Sequence, residues 1–444
     1  MRDHGDPGLH TPLLWADRPR ANGSHAADPD ASAWRRRLQT YIEAREPKFS
    51  ILATPRLDFS TRRDDDAPSL PLQSLVVGVK DILHVDGFAT RAGSLLPSHL
   101  WQGPEASVVT RLRQLGGLPI AKTATTEFAY FEPGPTCNPW HEAYTPGGSS
   151  SGSAAGVAAG YFDIGIGTQT VGSVIRPAAF CGVCGFKPSW GLVPRDGVIV
   201  FSRTVDQIGF FARNWHTLCV FADCMTPLAP VSDMQLENLR FGLVTGDYVE
   251  QAEAATNARI RNFAARLEGL GWSIQEVELP LDSIHDLNAR HQDLIAHEFF
   301  LAHHDWFADF GYLYRPRTVA LLEKGRRISR ERYVACRQSC GAWRKTLTDF
   351  MATQGLDMLI SPAAVGTAPR GLTTTGDPVM NLPWTHGGLP VTSVPLGLVR
   401  NEWGDWLPVG VQLTAAFNHD GLLLRASRLI SQRLRLAPGQ QLPE

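Results

Sequence analysis

TPGGSSSGSAAGVAAGYFDIGIGTQTVGSVIRPAAFCGVCGFKPSWG, residues 145–191, is the stretch whose reading decides both fold and site. It opens with a Gly/Ser loop over residues 146–152, runs through small residues to Gly160, and turns β-rich around Ile164 and Ile166. A second glycine-flanked serine follows at Gly172-Ser173. Glycine loses more backbone freedom on folding than any other residue, so such a concentration suits an ordinary core poorly. It suits a place where backbone comes close to another group and its N–H donors stay open to a reacting oxygen. The stretch reads as an active site.

Strand and helix patterns alternate on both sides of it. Residues 75–79 read as a buried strand with Lys80 at its end; by itself, a lysine there is most simply a snorkelling surface residue. Residues 105–116 set Val108, Val109, Leu112 and Leu115 on one helical face, Gly116-Gly117 ends the helix, and residues 118–121 return as a strand. Strand, helix, strand is the unit of a mixed or parallel sheet. A second α/β unit follows at residues 239–244, 252–270 and 272–279, then a mostly helical region over 283–353. Strands at 357–360, around 391–396 and around 409–413, a Gly/Thr/Pro loop over 366–378 and a helix over 420–434 complete the chain. Trp34, Leu38, Tyr41 and Ile42 give an apolar face to a helix beginning near Ala33. No repeat and no dividing linker is visible. The expectation is one large α/β domain over residues 33–444, a central mixed β-sheet surrounded by helices. Residues 1–32 are expected to form an irregular or poorly ordered arm, and residues 60–69 a charged loop.

Composition removes several classes of function. Hydrophobic content of 43% with 19% charged residues is globular, and a chain of 444 residues can bury a large core. A net charge of −2 gives no electrostatic reason to expect nucleic acid or an acidic membrane as partner. No apolar run approaches the roughly 18–20 residues of a membrane span. The opening MRDHGDPGLHTPLLWADRPR carries no apolar signal segment. With seven cysteines, an odd number, reduced thiols and a cytoplasmic location are expected. Cys181-x2-Cys184 and Cys336-x3-Cys340 sit inside hydrophobic or helical patterns with no His pair to complete a zinc site. His297, His303 and His304 lack an evident carboxylate partner, so no metal is expected.

A serine needs a base to become a nucleophile. Gly148–Gly152 fits G-x-S-x-G around Ser150, but a nucleophile elbow requires a strand running straight into the turn. CNPWHEAYTP, residues 137–146, is a loop. No Gly-Lys-Ser/Thr follows the glycines, so phosphate binding fails too. The alternative is a lysine acting through a second serine. Bringing its pKa from about 10.4 to near 7 costs roughly 4–5 kcal/mol, which burial must supply.

At these residues the chain resembles the amidase signature family, serine amide hydrolases with a Ser–cis-Ser–Lys triad. The resemblance runs from about Trp34 to Leu434. It rests on VVGVKDIL at 76–83, TPGGSSSGSAAGVAAG at 145–160, GTQTVGS at 167–173, PAAFCGVCGFKPSWG at 177–191, TGDPVMNLPWT at 375–385 and LPVGVQL at 407–413. It implies that Lys80 is the base, Ser149 the cis-serine and Ser173, 24 positions on, the nucleophile. It also implies an oxyanion hole from the backbone N–H groups of Thr170, Val171, Gly172 and Ser173. Neither metal nor cofactor is required. Three departures stand out: Gln169 for the usual Asp, Val171 for the usual Gly, and Arg176 one place later than that arginine.

Phe128, Tyr130, Phe131 and Trp140 flank the approach to the Gly/Ser loop, and Met380 and Trp384 sit in the C-terminal motif. Phe128, Tyr130, Cys137 and Trp384 are the candidate substrate-binding residues, which favours an apolar or aromatic acyl part; core packing is the plainer role for such aromatics. The expected activity is hydrolysis of a small-molecule amide. The alternatives are a glutaminase-type subunit of a tRNA-dependent amidotransferase, or acyl transfer to an amine by the same triad. The family allows a homodimer.

Overall fold

The computed structural model describes residues 31–60 and 70–436. In chain order it contains α1 (Ala31–Phe49), β1 (Val76–Lys80), α2 (Ser107–Gln114), β2 (Leu118–Thr123), α3 (Ser151–Ala158), β3 (Ile164–Gln169), α4 (Ile175–Cys181), β4 (Cys184–Lys187) and β5 (Gln207–Ala212). Next come α5 (Trp215–Met225), α6 (Asp233–Glu237), β6 (Arg240–Thr245), α7 (Asp247–Glu250), α8 (Ala254–Glu268) and β7 (Ser273–Glu278). The last part holds α9 (Ile284–Phe310), α10 (Pro316–Arg326), α11 (Arg330–Gln354), β8 (Met358–Pro362), α12 (Leu382–Gly387), β9 (Val391–Arg400), β10 (Trp406–Ala415) and α13 (Asp420–Arg433).

All ten strands join one mixed sheet in the order β2-β1-β3-β5-β4-β9-β10-β8-β6-β7. β2, β1 and β3 are parallel, as are β8, β6 and β7; antiparallel pairs fill the middle. The strands β1 to β5 are buried along their whole length. Continuous apolar strands of this kind require cover on both faces, which the helices supply. The fold is therefore a single α/β domain around a mixed sheet, as expected from the sequence. β4, β5 and α5 were not expected, and α1 begins at Ala31, inside the arm assigned to residues 1–32. Residues 1–30, 61–69 and 437–444, which hold most of that arm and of the charged loop, lie outside the described residues.

The small residues of 145–160 have a definite use. A Cβ at Gly152 would run into the Ile51 carbonyl oxygen and the Ala124 nitrogen, and one at Gly156 would meet the Phe162 ring. Helix α3 therefore lies directly on the backbone around β2, and the Gly/Ser loop before it is held at the C-terminal ends of β1 and β3.

Candidate active site

Lys80 is the last residue of β1 and is fully buried, not snorkelling. Its Nζ lies 2.7 Å from Ser149 Oγ, 2.8 Å from Thr168 Oγ1 and 3.4 Å from the Thr168 carbonyl oxygen. Burial drives its pKa well below the usual lysine value, with Asp206 opposing through its charge. A neutral amine has two N–H donors and one lone pair. Thr168 offers acceptors for the donors, which leaves the lone pair for the proton of Ser149 Oγ. The Gly148–Ser149 peptide is cis. Ser150, the centre of the elbow-like motif, donates to the Thr168 carbonyl at 3.1 Å and accepts the Thr168 N–H at 3.2 Å. It is a bracket between loop and strand.

The loop after β3 is fixed from behind. The Thr170 carbonyl accepts from His291 Nε2 at 3.0 Å, and the Val171 carbonyl accepts from Thr385 Oγ1 at 2.7 Å. In a trans peptide the N–H points opposite to the C=O, so the N–H groups of Val171 and Gly172 point away from those two anchors. Gln169 Oε1 accepts the N–H groups of Val174 and Ile175 at 2.8 and 3.0 Å, and its Nε2 donates to Thr385 Oγ1 at 2.8 Å. Gln169 thus both accepts from the start of α4 and donates toward α12, tying the loop to two helices. A Cβ at Gly172 would collide with Asn381 Oδ1. Glycine is therefore required where the loop presses on the segment leading to α12.

Ser149, Thr170, Val171, Gly172 and Ser173 line one narrow cleft with Tyr130, Phe131, Phe201, Thr375 and Arg176. Ser149 Oγ and Ser173 Oγ share that cleft without a hydrogen bond between them among the described residues. The free volume, about 10 Å³, is close to that of one water-sized sphere. Three aromatic side chains, Tyr130, Phe131 and Phe201, form its wall. That wall is built by Tyr130 packing on Phe131 and stacking on Phe201, with ring centroids 5.0 and 5.8 Å apart.

Of the candidate substrate-binding residues, Tyr130 reaches the cleft and three do not. Phe128 is buried against Trp101, His303 and Tyr314. Cys137 is a buried thiol donating to the Lys48 carbonyl. Trp384 is fully buried, its indole N–H shared between Tyr248 Oη and the Met380 carbonyl. Closeness in sequence to the site motifs suggested a place in the pocket, but their side chains fill the core.

Sequence reasoning missed three supports. Asp206 accepts from Thr170 Oγ1 at 2.7 Å and from the N–H groups of Phe201 and Ser202, both at 2.9 Å. It ties the loop to the aromatic wall, and burial pushes its pKa up to about 6. His291, pushed down to about 4 by burial, lies Nδ1 to Nδ1 with His386 at 3.1 Å. Thr385 closes the motif TGDPVMNLPWT, and its hydroxyl joins Gln169 to the Val171 carbonyl. The seven cysteines are all free thiols, six of them buried.

No histidine is among the residues that line the cleft, and the amine in contact with one of its serines is Lys80: the fold and site are those of an α/β protein with a buried lysine set against a serine of a Gly/Ser loop. Comparison with known proteins narrows that class. A profile of the amidase family matches residues 56–424, and the chain belongs to that family. It is an enzyme that hydrolyses amide C–N bonds. It is 30% identical over 438 residues to a glutamyl-tRNA(Gln) amidotransferase subunit of Synechococcus sp. (strain WH7803), covering 85% of this chain and 86% of that one. A solved protein from a vestigial complex that bears on the origins of an s-triazine catabolic enzyme is 25% identical, with a TM-score of 0.82 over 93% of this chain and 96% of that one. The peptide amidase PAM, solved with the competitive inhibitor chymostatin, is also 25% identical, with a TM-score of 0.76 over 91% of this chain and 94% of that one.

Proposed function

We propose that this enzyme cleaves a carboxamide in a small organic substrate through an acyl-enzyme on Ser173. The observation that carries this reading is the 2.7 Å contact between the buried Lys80 Nζ and Ser149 Oγ. Neutral Lys80 takes the proton of Ser149, and Ser149 takes that of Ser173, whose oxygen attacks the carbonyl carbon. The N–H groups of residues 170–173 receive the oxyanion; one such donor is worth about 3–4 kcal/mol in the transition state. The proton returns along the same path to the leaving nitrogen, and water then releases the acyl group. Tyr130, Phe131 and Phe201 would contact the acyl part.

A second reading is favoured by the relatives named as amidotransferase components: a glutaminase-type subunit that works with partner chains. Glutamine brings an α-ammonium group, however, and no carboxylate is among the residues lining the cleft. Acyl transfer to an amine would use the same acyl-enzyme. Free thiols throughout support a cytoplasmic location.

The test is labelling by a fluorophosphonate together with turnover of a panel of primary amides, anilides and glutamine. Labelling is expected to vanish in Ser173→Ala and to persist in Ser150→Ala. The opposite pattern would reject the assignment, and ammonia release from glutamine alone would transfer the case to the second reading.

A further inference from the structure

Two consecutive residues of α12 hold two consecutive carbonyls of the loop after β3. Thr385 Oγ1 donates to the Val171 carbonyl at 2.7 Å. His386 reaches the Thr170 carbonyl at second hand: its Nδ1 lies 3.1 Å from His291 Nδ1, and His291 Nε2 lies 3.0 Å from that carbonyl. On its other side His386 Nε2 is 2.9 Å from Ser339 Oγ, which is also 2.6 Å from the Cys336 carbonyl inside α11. Both imidazoles are buried, and burial holds both pKa values below the usual histidine range, His291 at about 4, so each is neutral with one N–H at neutral pH. A carbonyl oxygen only accepts, so the His291 proton sits on Nε2 and its Nδ1 is a bare lone pair. His386 must then place its own proton on Nδ1, which leaves its Nε2 to accept from Ser339. The Cys336 carbonyl does not depend on Ser339, because the helix ladder gives it the N–H of Cys340. The donors therefore run one way, from Ser339 to His386 to His291 to Thr170. Cys340 Sγ, 3.6 Å from His386 Nδ1, is a neutral thiol pushed up to about 12 by burial, so it offers no anion to draw the His386 proton away.

The far end of this chain bears on the cleft. The Thr170 carbonyl and the Val171 N–H belong to one peptide group, and Val171 lines the cleft beside Ser173. A donor on the carbonyl side polarises the peptide and strengthens its N–H toward an acceptor, by roughly 10–30% per bond in a chain. We propose that His291 and His386 are positioning residues for the reaction: with Ser339 they form a one-way chain of donors from α11 that fixes and polarises the peptide between Thr170 and Val171, so that the Val171 N–H is strongest where the oxyanion forms. This deepens the amide-hydrolase reading and rests on it. Neither histidine is among the residues that line the cleft, so both act through Thr170.

The experiment measures kcat and KM on the best amide of the panel, and the second-order rate of fluorophosphonate labelling. It compares the full chain with His291→Phe, His291→Gln, His386→Leu and the double variant His291→Phe/His386→Leu, each with its thermal unfolding curve. His291→Phe should lower kcat by about 10²-fold with KM little changed. His291→Gln keeps a donor near the Nε2 position and should recover most of that loss. His386→Leu should cost about tenfold, and the double variant no more than His291→Phe alone, because His386 acts only through His291. Nitrogen NMR of the histidine-labelled parent should show His291 protonated on Nε2 and His386 on Nδ1. Losses that multiply in the double variant, a loss confined to KM, or a His291→Gln no better than His291→Phe at equal Tm would mean that the histidines only fill the layer, and would overturn the proposal. So would the reversed tautomers. If the parent neither turns over an amide nor takes the label, the hydrolase reading fails instead, while the tautomers still decide whether the chain of donors exists.

Discussion

Two neighbouring strands each carry a fully buried lysine at the C-terminal end, and the two lysines have opposite surroundings. Lys80 on β1 touches Ser149 and Thr168 and no carboxylate among the described residues. Lys122 on β2, paired in register with Val79, meets Asp81 Oδ1 at 2.8 Å and donates to Thr90 Oγ1 at 2.8 Å. Burial lowers the pKa of both, but for Lys122 the contact with Asp81 works in the other direction. Asp81 follows Lys80 in the chain and yet serves the lysine of the next strand. On the proposed mechanism, burial with hydroxyl partners leaves Lys80 able to act as a base, whereas burial with a carboxylate makes Lys122 one half of a structural ion pair.

The sharpest way to break this contrast is Lys80→Met. Activity should fall by about 10⁴-fold or more, because a proton path acts as a unit. Stability at neutral pH should rise. The folded pKa of Lys80 lies below its unfolded value, so the unfolded state binds the extra proton and the parent's stability climbs with pH through that window. The variant should lose this slope, as denaturant titrations between neutral and alkaline pH would measure. A drop in stability at neutral pH would mean that Lys80 is charged in the folded state.

Lys122→Met should do the reverse. Removing one partner of a buried pair costs about 3–5 kcal/mol, because Asp81 is left without its countercharge. Chemical denaturation should show that loss, while the pH dependence of kcat/KM stays where it was. Lys122→Met with Asp81→Asn should recover most of it. If the pH profile moves instead, the two lysines share a titration and the contrast fails.

Gln169→Leu probes how the loop after β3 is held. It removes the acceptor for the Val174 and Ile175 N–H groups and the donor to Thr385. A loss of about 10²–10³ in kcat is expected, with KM little changed, since the N–H donors matter most in the transition state. A change confined to KM would place Gln169 in substrate binding.

The contrast also marks where sequence reading stops. The strands were legible because buried parallel strands are nearly continuous apolar runs, as in VVGVK and LPIAKT. β4 and β5 escaped notice because CGFK and QIGFFA are short and rich in glycine and phenylalanine, with no alternation to separate strand from loop. Lys80, Ser149 and Ser173 were legible only through several motifs in order. From local pattern, Lys80 and Lys122 look alike, each near the end of an apolar strand. Their difference lies in cross-strand partners such as Asp81, which follows Lys80 in the chain but pairs with Lys122. Phe128, Cys137 and Trp384 failed for a related reason: position along the chain does not say which side of a packed layer a side chain fills. His291, Thr385 and Asp206 lie 121, 214 and 36 positions from the carbonyls or hydroxyl that they hold, so no local signal could have found them.

The smallest effect tests the one carboxylate that bears on Lys80 from a distance. Asp206 does not touch Lys80, but its charge favours the protonated amine. Burial raises its own pKa to about 6, so it is ionised through neutral pH and exerts that influence there. Asp206→Asn keeps an acceptor oxygen for part of the network and removes the charge. The amine should then give up its proton more readily, and the acid limb of the kcat/KM profile should move to lower pH, with a gain of less than about tenfold on that limb. The plateau should fall somewhat, because an amide oxygen cannot hold both the Thr170 hydroxyl and the Phe201 and Ser202 N–H groups as the two carboxylate oxygens do. A limb displaced to higher pH would mean that Asp206 acts on the amine through the position of the loop. The proton balance at Lys80 would then depend on packing, and the distinction from Lys122 would have to be redrawn on that basis.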